Sequence, residues 1–266
     1  MRICANHTSS LQLFLAIVCA LYLTGCSEPR IDSIRFGLAN APANLDPRFA
    51  TDATSDRINR LLYARLVDFN DAFEPIPAIA SWKQIRSKHF RFHLNPNRSS
   101  FHDGTPLTAR DVKATYDFIL DAKNASPHRN TLNMIDHITI QDSETLDFHL
   151  NRPDLLFPSF LAIGILPAHL IQVDHPFHSQ PIGSGPFAFV ARPDETRLKL
   201  IRLKDQQKFE FIKVQEPTVR ALKLLAGEID MVQNNLPPEL VVYLGKNARL
   251  QVQRNSGNNF SYVGLC

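Results

Sequence analysis

Apolar side chains are laid out in three ways along this chain, and each layout predicts a different element. Between Leu11 and Leu23 they form an almost unbroken run, LQLFLAIVCALYL, behind a short polar start that carries Arg2. The run is shorter than the about 20 residues that a membrane-spanning helix needs. It ends in Thr24-Gly25-Cys26, the layout of a cleaved secretory leader. From Lys88 to Leu94 the pattern alternates, with Phe90, Phe92 and Leu94 on one face and His89, Arg91 and His93 on the other. A period of two predicts a half-buried strand. Around Ile58, Leu61, Leu62 and Leu66 the spacing is helical, with Arg57, Arg60 and Arg65 among the polar positions and Thr51 or Asp52 available as N-cap. That predicts an amphipathic helix lying on a sheet.

The same reading extends along the chain. Ile34 to Leu38 is a first strand, followed by a loop over the Pro- and Asn-bearing stretch 39–48. His102-Asp103-Gly104 supplies a tight turn, and a second helix starts at Thr108 with Asp111 three residues on, as in a capping box. Ile135 to Ile140 and Thr145 to Leu150 read as paired strands across the polar turn 142–144. Further strands are expected near 187–191, 198–203 and 210–214, then a helix over 218–225 stopped by Gly227 and a short strand over 229–232. The order is mixed, without βαβ alternation, so the fold class is α+β. Trp82, the only tryptophan, is expected to pack against a sheet.

Composition narrows the function classes. The chain has 266 residues and a formal net charge of +3, which gives no long-range field for nucleic acid, and no basic stripe with interleaved aromatics is present. Of the four cysteines, Cys4 and Cys19 fall in the leader and Cys266 is the last residue. Leu23-Thr24-Gly25-Cys26 resembles the bacterial lipoprotein box, which implies cleavage before Cys26 and acylation of its thiol and amine. At about 0.8 kcal/mol per buried methylene, three acyl chains tether a protein to a bilayer almost permanently. With Cys26 lipidated, the mature chain has no pair of thiols for an internal disulfide.

A series of segments then carries a resemblance over the whole mature chain. They are Asn44-Leu45-Asp46-Pro47, Leu62-Tyr63, Pro77-Ala78-Ile79-Ala80-Ser81-Trp82, the block from Phe101 to Val112 that opens Phe101-His102-Asp103-Gly104-Thr105, Gly183-Ser184-Gly185-Pro186-Phe187, Thr218-Val219-Arg220-Ala221-Leu222, and Gly227-Glu228-Ile229-Asp230. In this order they resemble the solute-binding proteins of bacterial ABC importers, family 5, the oligopeptide, dipeptide and nickel branch. The resemblance implies a mixed-sheet first lobe of a two-lobed, periplasmic-binding-protein-like fold (cluster C) that closes on a short peptide. It also implies that the backbone at Ala41 and Ala43 pairs with an extended peptide. The turn Gln233-Asn234-Asn235 offers amides that can both donate to and accept from a peptide bond, and His128 stands where relatives place a cleft aromatic. Phe101 to Thr105 and Gly183 to Pro186 are expected to be scaffold.

The resulting division is a leader over 1–25, a lipidated linker over 26–33 and a first lobe over 34–266. Relatives cross their hinge at the strand that here reads Phe260 to Cys266, so the second lobe is expected to be missing, through truncation or because a second chain supplies it. The expected partners are short peptides, the permease subunits of an ABC importer, and a membrane held through the lipid anchor, in the periplasm or cell envelope. No enzyme activity, cofactor or metal ligand is assigned. Three other readings stay open: nickel, metal-chelate or haem binding in the same fold, for which His175-Pro176-Phe177-His178 is the close histidine pair; a secreted hydrolase, although Gly183-Ser184-Gly185 lacks the spacing of a nucleophile elbow; and a structural or non-functional lipoprotein fragment.

Overall fold

Two antiparallel-rich sheets, each buried on one face beneath a helix, organise the described residues. The computed structural model describes residues 33–254; Cys26, the leader before it and the expected strand at Phe260 to Cys266 lie outside the described residues. Among the described residues no helix is long and apolar enough to cross a membrane.

The first sheet has the order β11-β1-β10-β9-β8, built from β1 (Ser33–Leu38), β8 (Phe187–Asp194), β9 (Arg197–Arg202), β10 (Lys208–Lys213) and β11 (Met231–Val232). β1 begins one residue before the expected lobe boundary and lies parallel to both neighbours, with Phe36 opposite Phe211 and Met231. Helix α1 (Ala53–Leu62) covers this sheet. Asp52 is its N-cap, accepting from Thr54 N and Ser55 N. Ile58, Leu62 and Tyr63 bury against Leu45, Phe177, Leu200 and Phe211.

The second sheet has the order β4-β5-β7-β6, from β4 (Ala80–Arg86), β5 (His89–Leu94), β6 (Ile135–Ile140) and β7 (Thr145–Leu150). Here the alternation read from the sequence holds: Phe90, Phe92 and Leu94 are buried, while His89, Arg91 and His93 face outward. Helix α2 (Ala109–Leu120) lies on the inner face with Val112, Tyr116 and Ile119 in the core. The expected capping box closes it, Thr108 N donating to Asp111 Oδ2 at 2.7 Å. Trp82 packs on Phe92, ring centroids 6.0 Å apart. A small hairpin of β2 (Val67–Phe69) and β3 (Pro75–Pro77), the short α3 (Ala168–Gln172), α4 (Pro217–Ala226), α5 (Pro238–Gly245) and two 3-10 turns, Ala122–Asn124 and Phe157–Phe160, complete the elements among the described residues.

Helix α1 ends earlier than the spacing predicts. Leu66 and Arg65 leave the helical register at Tyr63, whose backbone is extended, and Arg65 forms an isolated bridge with Gly164. A non-local contact sets this end: Gly185 N donates to Leu62 O at 2.9 Å. A Cβ on Gly183 would stand 2.0 Å from Leu62 O, and one on Gly185 2.3 Å from Leu61 O, so only glycine permits the approach. From the other side, His102 N donates to Gly183 O at 2.7 Å, its Nε2 lies 3.0 Å from Gly185 O, and Gly183 N donates to Nδ1 at 3.3 Å. The 101–105 turn and the 183–187 loop are thus scaffold: they fasten the two sheets to each other through the end of α1.

Candidate functional site

Because β1, β10 and β11 are parallel, their C-terminal ends lie at one edge of the five-stranded sheet. The edge outside the C-terminal ends of parallel strands is the general place for a ligand in open sheets, since the loops leaving it part and expose their backbone groups.

Arg220 on α4 holds this edge together. The residue is 1 % exposed; its Nη1 donates to the carbonyls of Val214 (2.6 Å) and Gln215 (3.0 Å), and Nη2 donates to the carbonyl of Asn235. One cation therefore joins the end of β10 to the turn after β11. Burial pulls the pKa of this guanidinium down, with Glu216 acting the other way, yet arginine stays charged in proteins. Its charge rests on peptide carbonyls, with no carboxylate among the hydrogen-bond partners given by the described residues. Gly37 in β1 makes room for this arrangement: a Cβ there would meet Ile229 Cδ1 at 2.7 Å and Arg220 Cγ at 3.4 Å. On the same strand, Arg35 grips Asp230 through Nε (3.0 Å) and Nη2 (2.9 Å) and reaches the Gly227 carbonyl, the αL cap of α4, at 2.7 Å.

The residues expected to meet a peptide divide between this edge and a second place. Gln233, Asn234 and Asn235 follow β11 directly and are exposed. Asn234 and Asn235 hold φ of 58° and 53°, a conformation that asparagine tolerates better than most residues. None of the three side-chain amides has a hydrogen bond among the described residues. The loop after β1 brings Ala41, half-buried, and Ala43, exposed, to the same end of the sheet. Ala43 N–H is already engaged: burial works to raise the pKa of Asp52, but hydrogen bonds from Ser55, Thr54 and Ala43 hold that carboxyl below its usual range. Ala41 keeps its backbone groups free of hydrogen bonds among the described residues, and it lines a shallow depression with Pro42, Arg192 and Lys213.

His128 lies elsewhere. It lines a cavity of about 140 Å³ with Pro47, Ala50, Asn59, Arg65 and Gly164. The far end of the same loop reaches it through Ser126 Oγ, which donates to Arg48 O at 2.7 Å. His128 Nε2 and Asn59 Oδ1 are buried there without a well-aligned hydrogen-bond partner among the described residues. Burial lowers the pKa of His128. The neighbouring Arg48 is fixed by a buried ion pair with Asp46 (2.7 Å) and by the face of Phe118, 3.7 Å from its guanidinium carbon.

Two other sequence candidates gain nothing here. His175 Nε2 lies 2.7 Å from the Gln180 carbonyl and its ring packs edge-on to Phe177, so this histidine secures a turn rather than forming a chelate with His178. Ser184 is 3 % exposed within the loop packed on α1. The role of Arg220 was not foreseen, although the signal was present: a long cation stands beside Ala221 on the buried side of α4, where the helical pattern calls for an apolar residue.

Comparison with known proteins places this architecture. The sequence profile of the bacterial extracellular solute-binding proteins, family 5, middle region, matches residues 73–265. The chain is 27% identical over 236 residues to the glutathione-binding protein GsiB of Pectobacterium atrosepticum, covering 84% of this chain and 46% of that protein. It is 26% identical to the periplasmic murein peptide-binding protein MppA of Escherichia coli K12, covering 74% and 42% respectively. It is 34% identical over 166 residues to the transcriptional regulator SgrR of Shigella dysenteriae, covering 59% and 28%. Among solved structures, NikZ of Campylobacter jejuni in complex with Ni(L-His) superposes with a TM-score of 0.73 at 22% identity over 82% of this chain and 46% of its own. The binding protein AgaA of A. tumefaciens R10, in complex with agropinic acid, superposes with a TM-score of 0.73 at 26% identity over 81% and 46%. This chain thus spans less than half the length of each of these relatives. The mixed-sheet fold and the profile together make the chain a member of the bacterial extracellular solute-binding proteins of family 5.

Proposed function

We propose that residues 33–254 form one wall of a cleft that captures short peptides outside the cytoplasm, on a chain anchored through acylated Cys26 and serving an ABC importer. The observation that carries this reading is the shared edge, where Arg220 fixes the ends of β10 and β11 so that the amides of Gln233 to Asn235 and the backbone of Ala41, without hydrogen bonds among the described residues, lie at the same end of one sheet. Such groups suit a peptide backbone, which presents one donor and one acceptor per residue whatever its side chains. Low selectivity for side chains follows, because water can satisfy varied groups outside the backbone ladder. The other wall of the cleft comes from outside the described residues.

The test is a titration of the chain with trialanine, followed by amide chemical shifts. The expected result is saturable perturbation of residues 39–43 and 233–235. A variant carrying Gln233→Ala, Asn234→Gly and Asn235→Gly removes the three amides while glycine keeps the positive φ. It should weaken binding by about tenfold or more, the loss of roughly one to two net hydrogen bonds, with no change in melting temperature. Trialanine that perturbs nothing in these loops, or that binds the variant equally well, would refute the assignment.

A further inference from the structure

The outer face of the four-stranded sheet carries a row of imidazoles that the sequence hides. The register sets His89 on β5 opposite His149 on β7, and His149 opposite His137 on β6. The three rings stack side by side, with centroids 4.5 Å apart between His89 and His149 and 4.3 Å between His149 and His137. Asp147, two residues before His149 on the same face of β7, sits beneath them and is 2 % exposed. Its Oδ2 lies 3.2 Å from His89 Nε2. That contact is close but misaligned, so His89 Nε2 is a buried nitrogen with no proper hydrogen bond.

From this cluster we infer a first-row transition-metal site formed by His89, Asp147 and His149. One ligand atom from each residue falls within 4.8 Å of the others. A zinc ion with bonds of about 2.0–2.1 Å holds its ligand atoms roughly 3.3 Å apart, a separation that the His89 to Asp147 contact already meets. Small side-chain rotations bring in the third. Two imidazoles with one carboxylate select the zinc, nickel, cobalt and copper class over calcium and magnesium, which take all-oxygen sets. Three protein ligands leave a fourth coordination position for a water molecule. The surroundings supply the outer contacts that orient metal ligands: Thr139 Oγ1 is 3.1 Å from His149 Nε2, and Gln141 Nε2 donates to Asp147 Oδ2 at 3.0 Å. His137 extends the row, its Nδ1 2.8 Å from Asp136 Oδ2.

Arg91 is the internal competitor. Its Nε and Nη2 donate to the two oxygens of Asp147 at 2.7 and 2.8 Å, and its charge opposes that of an incoming cation. A metal therefore takes Asp147 by displacing one of these contacts. Removing the arginine favours the metal. This site lies on a different sheet from the loops assigned to peptide, and the two assignments stand or fall separately.

The experiment is calorimetric titration of the full chain, purified without a histidine tag, with zinc chloride, followed by cobalt substitution read by visible absorption. The expected result is one zinc ion per chain, bound at least tenfold more weakly by His149→Gln and by His89→Gln and more tightly by Arg91→Gln. His178→Gln, on an exposed residue outside the cluster, should bind as the wild type does. Cobalt should give the intense visible bands of a four- or five-coordinate site, absent from His149→Gln. Both histidines face outward, so the glutamine variants keep the fold, which their unchanged melting temperatures without metal will verify. A wild-type chain that takes up no zinc, or zinc binding unaltered in both glutamine variants, would overturn the assignment.

Discussion

Replacing Gly183 with alanine tests whether the two sheets are joined as described. The added Cβ would stand 2.0 Å from Leu62 O, 2.8 Å from Leu62 C and 2.7 Å from Tyr63 Cδ1. Two of those atoms are backbone, and both Leu62 and Tyr63 are fully buried. Restoring ordinary contact means moving the loop by more than 1 Å, on the order of the gap between 2.0 Å and the ~3.4 Å of a normal contact. Such a shift breaks the bonds that fasten the loop: Gly185 N to Leu62 O, His102 N to Gly183 O and Gly183 N to His102 Nδ1. At about 1 kcal/mol net for each hydrogen bond and about 1–3 kcal/mol for overpacking, the cost is about 4–6 kcal/mol, a large share of a domain's stability. Gly104→Ala is the control. It too replaces a turn glycine, with φ +87°, but finds nothing within 4 Å, so it carries only the about 1–2 kcal/mol of left-handed backbone. Urea unfolding, followed by circular dichroism and by the fluorescence of Trp82, should move the Gly183→Ala midpoint down by about 2 M and the Gly104→Ala midpoint by less than 1 M, for a slope near 2–3 kcal/mol/M. Equal midpoints for the two variants would refute the reasoning and mean that the junction yields more easily than its distances indicate.

His102 should make stability depend on pH. Burial, the largest influence, lowers its pKa from the ordinary imidazole value of about 6.5, and its contacts define a neutral ring with Nε2–H donating to Gly185 O and Nδ1 accepting from Gly183 N. The unfolded chain then binds the proton more readily than the folded one, so stability is full above about pH 6.5 and falls as the pH drops through the lowered folded value. Urea midpoints measured from pH 8 to pH 5 should decline less steeply for His102→Gln, and parallel slopes would show that other groups govern the effect. Arg220→Met should cost about 3 kcal/mol by leaving the Val214, Gln215 and Asn235 carbonyls without their shared donor. The same change should loosen the 233–235 turn, seen as faster amide exchange there than in β5 and β7, and an unchanged exchange pattern would remove Arg220 from its organising role.

Local pattern made some of this architecture legible and left other parts hidden. β6 and β7 occupy the residues expected on either side of the polar turn 142–144, the Thr108–Asp111 box opens α2, and Gly227 closes α4, because each depends on neighbours within a few residues. The end of α1 was misplaced because a glycine loop more than 100 residues away sets it, and helical spacing alone carries through Leu66. Helix α5 and the β2–β3 hairpin have no such local pattern: Pro77 closes a short strand and Pro238 serves at the first position of a helix, where its missing N–H costs nothing. At the site, Gln233 to Asn235 could be found as a polar turn after a strand, but the engagement of Ala43 N–H by Asp52 could not, since it depends on the path of a loop. The imidazole row escaped for a similar reason. His89, His137 and His149 are far apart in sequence, and only the register of three strands sets them side by side.

The placement of β1 between β11 and β10 has a consequence for how the chain assembles. Both of its partners are distant: Arg35 meets Asp230 across 195 residues, and β10 pairs beside it along its full length. A chain delivered amino-terminus first therefore holds its first strand open until nearly all of the described residues have followed. The four-stranded sheet needs only the segment between Ala80 and Leu150, and its antiparallel neighbours include hairpins that close early. The molecule should accordingly pass through a stage with one finished sheet and one exposed, unpaired strand, the kind of species that sticks to its own copies or is shielded by chaperones. In refolding, amides of β5 and β7 should gain protection before those of β1.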